Sequence, residues 1–263
     1  MHSFTPSHRG GSGPPLVCLH GIVDTWRTWE LVLPALERSH DVLAPTLPGH
    51  AGGPALGAGG IEDALVDPVE SALDDAGFTT AHLVGNSLGG YIALRLAPRG
   101  RAESVVAFAP AGGRAEGDPS ERELVERFLT MHEQAKEAVP HVDDIVSTAE
   151  GRRGVTQFTT VRFEHIPAEL LAHQVVGFAR CDLAGTLQTL RAGWNVHTNE
   201  IGCPVRVVWG TDDRILPWPS AAARYRAEWL PHADWVELDG VGHCPQLDVP
   251  VEAAELIVGF TTR

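Results

Sequence analysis

Residues 81–98 read Ala-His-Leu-Val-Gly-Asn-Ser-Leu-Gly-Gly-Tyr-Ile-Ala-Leu-Arg-Leu-Ala-Pro, and they constrain the fold more than any other stretch. A short apolar run at Leu83 and Val84 meets a glycine-flanked serine, and a helical pattern starts at Tyr91. Strand, sharp turn and helix is the setting in which a G-x-S-x-G match carries meaning. Gly85 and Gly89 flank Ser87 where a tight turn leaves no room for Cβ atoms. Such a turn puts Ser87 at a helix N-terminus, whose unpaired N–H groups favour developing negative charge. Without that setting the same residues would read as an ordinary turn with a capping serine.

The flanking sequence supplies a sheet for this turn. Short apolar runs at 15–20, 41–45, 104–109, 204–210 and 234–238 read as strands, and 81–84 joins them. Helical spacing lies between them at 28–36, 61–76, 88–97, 218–229 and 250–260, with Pro68 a possible kink in the second. Strands alternating with helices predict βαβ units and a mostly parallel, doubly wound sheet. Residues 5–15, rich in Gly, Pro and Ser, read as a loop or frayed edge.

From 112 to 200 the rhythm changes. Helical patterns start at Asp118-Pro-Ser-Glu121 and recur at 140–150, 167–180 and 182–191, with only a weak strand candidate at 155–163. We read 1–111 and 201–263 as one α/β core and 112–200 as a helical cap inserted into it. At 263 residues the chain is long enough for that arrangement.

A serine hydroxyl needs a base, and the base needs an orienting group. Trp209-Gly-Thr-Asp-Asp-Arg-Ile-Leu-Pro217 supplies carboxylates just past a strand end, and Gly240-Val-Gly-His-Cys-Pro-Gln246 supplies a histidine past the next. In parallel sheets ligand chemistry gathers outside the carboxyl ends of the strands, and all three motifs fall there.

With His20-Gly21 and Leu47-Pro-Gly-His50, these motifs resemble the α/β-hydrolase superfamily along nearly the whole chain. The resemblance is to its serine-nucleophile, carboxylesterase-like branch. It implies Ser87 as nucleophile, His243 as base and acid, and Asp213, rather than Asp212, as orienting carboxylate. Backbone N–H groups of Ile22 and Leu88 are the implied oxyanion donors. His20, His50 and His82 read as structural. Cys244, beside His243, lacks a turn of its own and is not taken as a nucleophile. Trp26, Ala111, Phe128 and Met131 are candidates for a substrate pocket, and other apolar residues of 112–200 for cap core or pocket lining.

A serine at the turn argues against the epoxide hydrolase and haloalkane dehalogenase branches, which use carboxylate nucleophiles. Asn86 and Leu88-Gly-Gly90 resemble the meta-cleavage-product C–C hydrolases. Ile22-Val-Asp-Thr-Trp-Arg-Thr-Trp29 and Cys244 depart from that branch. The expected activity is therefore hydrolysis of carboxylic esters or similar small acyl substrates. C–C or lactone cleavage, or a non-catalytic ligand-binding use of the fold, are the alternatives.

The net charge of −14 argues against nucleic acid or anionic membrane as partner. No H-E-x-x-H or similar spacing among the 13 histidines suggests a metal, and the chemistry calls for no cofactor. The four cysteines are scattered and the first residues lack an apolar segment of signal length, so a cytoplasmic setting with reduced thiols is expected. No apolar run of about 18 residues predicts a membrane span.

Overall fold

The computed structural model describes residues 3–191, 193–196 and 200–262. Seven strands form one sheet: β1 (Ser7–Gly11), β2 (Pro15–Leu19), β3 (Asp41–Pro45), β4 (Ala81–Asn86), β5 (Ala102–Phe108), β6 (Val205–Gly210) and β7 (Asp234–Leu238). Their spatial order is β1-β3-β2-β4-β5-β6-β7. Only β1 runs antiparallel, against β3, and every other pairing is parallel. The Gly-rich start, read as a loop, is thus an edge strand. Its signal was hidden because its side chains alternate between exposed and half-buried and include no large apolar group.

The central strands carry buried apolar residues on both faces because both faces are covered. Val17 and Leu19 of β2 enter one core with Leu83 and Val105, while Leu16 and Cys18 enter the other with Val84 and Val106. Helices α2 (Asp67–Asp75) and α3 (Leu88–Leu96) cover the first face, and α1 (Leu33–Leu36) and α10 (Pro250–Thr261) the second. The helical run from 61 changes character beside Pro68: a wide π turn at Glu62–Val66 passes directly into α2, whose second residue is this proline. The helical pattern at 28–36 is shorter than expected: a 3-10 turn at Trp26–Trp29 precedes α1. That at 218–229 likewise resolves into short turns at Ser220–Ala222 and Tyr225–Trp229.

Between β5 and β6 lie α4 (Ser120–Ala138), α5 (Val142–Ser147), α6 (Ala149–Thr156), α7 (Ala168–Arg180) and α8 (Leu183–Leu190). The weak strand at 155–163 is absent; α6 extends to Thr156 and turns follow. These helices hold a small core of their own, in which Val142, Phe163, Ile166 and Leu170 pack with Cys244 and Leu247. The last two belong to the loop after β7 and to α9 (Pro245–Asp248), so the insertion is seated on the segment that carries His243. No helix among the described residues is long and apolar enough to cross a membrane.

The chain leaves β2 for β3 on one side and returns to β4 on the other. The crevice at this reversal lies outside the carboxyl ends of the strands, where ligands collect in open α/β sheets.

Candidate active site

Ser87 joins β4 to α3 with φ 54° and ψ −115°, a backbone state costly for any residue with a Cβ. The neighbouring glycines make it attainable. A Cβ on Gly85 would run into the Gly89 carbonyl, and one on Gly89 into the Leu19 carbonyl. The serine N–H donates to the Phe108 carbonyl at 2.9 Å, and its own carbonyl accepts from the N–H groups of Tyr91 and Ala111 at 3.0 Å each. Val23 (φ 68°) and Ala109 (φ 40°) are the other non-glycine residues with positive φ among those described. They follow the ends of β2 and β5, so the strain surrounds one crevice.

His243 follows β7. Its Nδ1 lies 2.7 Å from Asp213 Oδ2. The second oxygen of Asp213 accepts from the N–H groups of Ile215 and Leu216 at 2.8 and 2.7 Å. A carboxylate facing Nδ1 holds the ring proton there and leaves Nε2 able to accept another. That nitrogen has no protein partner among the described residues. Asp213 is buried, whereas Asp212 is exposed and contributes its N–H to the Val241 carbonyl. Geometry therefore puts Asp213 on the histidine. The Asp213 and His243 loops are also joined by Asp212 N–H to the Val241 carbonyl and Thr211 N–H to the Leu238 carbonyl, both at 3.0 Å.

Two buried side chains hold these parts together. Asn86 Nδ2 donates to the carbonyls of Phe108 and His243 at 3.2 and 2.9 Å, while its oxygen accepts from Gln246 Nε2 at 3.2 Å. It thereby ties the serine turn to the histidine loop. Asp248 accepts from Gly242 N–H at 2.6 Å and from Val161 and Arg162 N–H at 2.9 and 2.7 Å. It fastens the histidine loop to the helical insertion, and Cys244 N–H to the Thr159 carbonyl at 2.9 Å reinforces the seam. Asn86 is marked in the sequence by its place in the serine motif, but its bond to the histidine loop, like those of Asp248 to the insertion, leaves no local pattern.

Ile22 and Leu88 line the same cavity as Ser87. Leu88 opens α3, so its N–H has no acceptor one turn back. Ile22 belongs to the loop after β2, which His20 shapes: Nδ1–H donates to the Gly21 carbonyl at 2.7 Å and Nε2 accepts from Leu47 N–H at 2.8 Å. Burial holds the His20 ring well below the usual histidine range, in keeping with an accepting Nε2.

Two cavities meet at Ser87. The smaller, about 110 Å3, is bordered by His243, Phe128, Met131 and Phe178. The larger, about 690 Å3, is bordered by Leu88, Ala111 and Trp194. Ile22, Ser87, Phe128 and Ile215 face both. Of the pocket candidates, Ala111, Phe128 and Met131 are thus at the cavities. Trp26 is elsewhere: its indole donates to Thr5 Oγ1 at 2.9 Å and stacks on His8, because the turn at Trp26–Trp29 directs it toward the edge strand. Phe163, Leu170 and Val176 pack inside the helical insertion.

Cys244 Sγ sits 3.4 Å from the Asn86 oxygen. Burial, with Asp24, Asp213 and Asp248 nearby, pushes its thiol well above the usual range, so a thiolate is disfavoured. Asp24 borders the small cavity; burial raises its carboxyl to about 6.

A glycine-enabled serine turn over a mostly parallel sheet, facing an Asp-supported histidine, defines a hydrolase of the α/β type. The chain belongs to the alpha/beta hydrolase family, whose profile it matches over residues 16–256. It is 32% identical over 204 residues to the epoxide hydrolase EphH of Mycobacterium tuberculosis, covering 74% of this chain and 92% of that protein. It is 31% identical over 269 residues to the pimeloyl-[acyl-carrier protein] methyl ester esterase of Aromatoleum aromaticum, covering 93% of this chain and 96% of that one. The fold is also that of the esterase RhEst1 from Rhodococcus sp. ECU1013, with TM-score 0.75 at 23% identity over 97% of this chain and 94% of that one.

Proposed function

We propose that this chain is a serine hydrolase of small carboxylic esters, acting through an acyl-enzyme on Ser87. The observation that carries the reading is the 2.7 Å bond from Asp213 to His243 Nδ1, with His243 and the strained Ser87 bordering one cavity. In the reaction His243 Nε2 takes the Ser87 proton as Oγ attacks the ester carbonyl. The N–H groups of Ile22 and Leu88 receive the oxyanion, an arrangement in which losing one donor costs about 10²–10³ in kcat. His243 then protonates the departing alkoxide, and water attacks the acyl-enzyme by the same relay. The 112–200 insertion acts as the cap and sets substrate shape through Phe128, Met131 and Phe178. No cofactor takes part, and a cytoplasmic setting fits the scattered free thiols.

Similarity to a methyl ester esterase supports ester chemistry. The serine at the turn separates this site from carboxylate-nucleophile chemistry despite the similarity to an epoxide hydrolase. The test is labelling by a fluorophosphonate probe together with turnover of methyl and p-nitrophenyl esters. The intact protein should label and turn over, and Ser87→Ala should do neither. Failure of the intact protein to label would overturn the reading.

A further inference from the structure

The two cavities at Ser87 divide the substrate. His243 borders only the smaller and Leu88 only the larger. Because His243 must protonate the departing oxygen, the alcohol part of an ester belongs in the cavity it borders. The acyl part then extends past Leu88 into the larger one. This division rests on the ester-hydrolase reading above.

The smaller cavity is lined largely by apolar side chains, yet it holds a carboxyl group that the reaction does not use. Asp24 and Gln174 both border it, and Gln174 Nε2 donates to Asp24 Oδ2 at 3.0 Å. Thr25 N–H donates to Asp24 Oδ1 at 2.8 Å. An ionised carboxylate offers about four acceptor sites, and these two bonds leave room for another donor from the cavity. The backbone at Val23, with φ 68°, is strained immediately before this residue, as at ligand-binding turns. The raised carboxyl, at about 6, reflects how little water reaches it.

We propose that Asp24 is a specificity residue for the leaving group: it accepts a hydrogen bond from a hydroxyl carried by the alcohol part of the substrate. The preferred substrates are then monoesters of short diols or polyols. Their free hydroxyl lies within a few atoms of the ester oxygen, because a 150 Å3 cavity holds only about a benzene and this one measures about 110 Å3.

The experiment compares 2-hydroxyethyl hexanoate with n-propyl hexanoate, which matches it in size and acyl group but lacks the hydroxyl, with methyl hexanoate as reference. The intact protein should prefer the hydroxyethyl ester in kcat/KM by about tenfold. In Asp24→Leu the ratio should fall to about one while the propyl and methyl rates hold. Asp24→Asn, which keeps an acceptor, should keep part of the preference and serves should the leucine variant not fold. A residue that only stabilised the loop would lower all three rates alike. Equal hydroxyethyl and propyl rates in the intact protein overturn the proposal. So does a preference that survives in a folded Asp24→Leu, or a protein that labels with fluorophosphonate but cleaves none of the hexanoates. Failure of the underlying reading looks different: no ester is cleaved and no label is taken up.

Discussion

On the sheet side of the cavities, Ser87, Asp213 and His243 are positioned by backbone. The serine turn is pinned by three main-chain hydrogen bonds, Asp213 by two N–H groups, and the histidine loop by bonds to the loop beside it. On the helical side, Phe128, Met131 and Phe178 reach the same space as side chains from α4 and α7, held by packing. Backbone-fixed geometry tolerates almost no substitution where main chains touch, whereas a packed lining can change residue and keep its shape. On the proposed reading, the first wall carries the chemistry, and the second shapes the space around the substrate.

The contrast can be broken first on the sheet side. Asp213→Asn should lower kcat about 10⁴-fold with little change in the melting curve, because the amide disturbs the histidine tautomer and leaves the loop in place. A loss below tenfold would remove Asp213 from the proposed relay. Gly89→Ala should act through folding, since its Cβ meets the Leu19 carbonyl; urea unfolding should show a loss of about 1–3 kcal/mol or more, together with loss of probe labelling. On the helical side, Phe128→Ala removes a side chain that lines both cavities. It should change kcat/KM less than about tenfold while shifting preference toward bulkier alcohol parts, read from an ester series of fixed acyl group.

The smallest effect concerns pH. Asp24 keeps its proton in the folded state up to about 6, above its unfolded value of 3.8. The folded chain therefore binds the extra proton between those values, and this contribution to stability is complete below about pH 4 and lost as pH rises through about 6. Asp24→Asn should flatten that part of the stability profile in urea titrations. An unchanged slope would show that another group sets it.

The same difference explains what could be read from sequence. Gly85-Asn-Ser-Leu-Gly89, Asp213 and His243 are legible because tight turns after apolar strands demand particular residues at particular spacings. β1 was missed because an edge strand of Gly, His and Arg carries no apolar alternation. Trp26 lies next to the oxyanion loop in sequence but away from the pocket, because sequence proximity does not fix the direction of a side chain leaving a 3-10 turn. Asn86, Asp248, Asp24 and Gln174 work through partners up to 160 residues away, and no local pattern records such pairings.

The Asn86 to His243 bond has one further consequence, in time rather than in space. It joins residues 157 apart in sequence, with the whole helical insertion made between them. Contacts of such long separation form late, because closing the loop costs entropy before the contact returns any. The serine turn therefore exists as a peptide long before it has a base. As the chain emerges from the ribosome, the proposed nucleophile stays unarmed until β7 and the loop after it have docked.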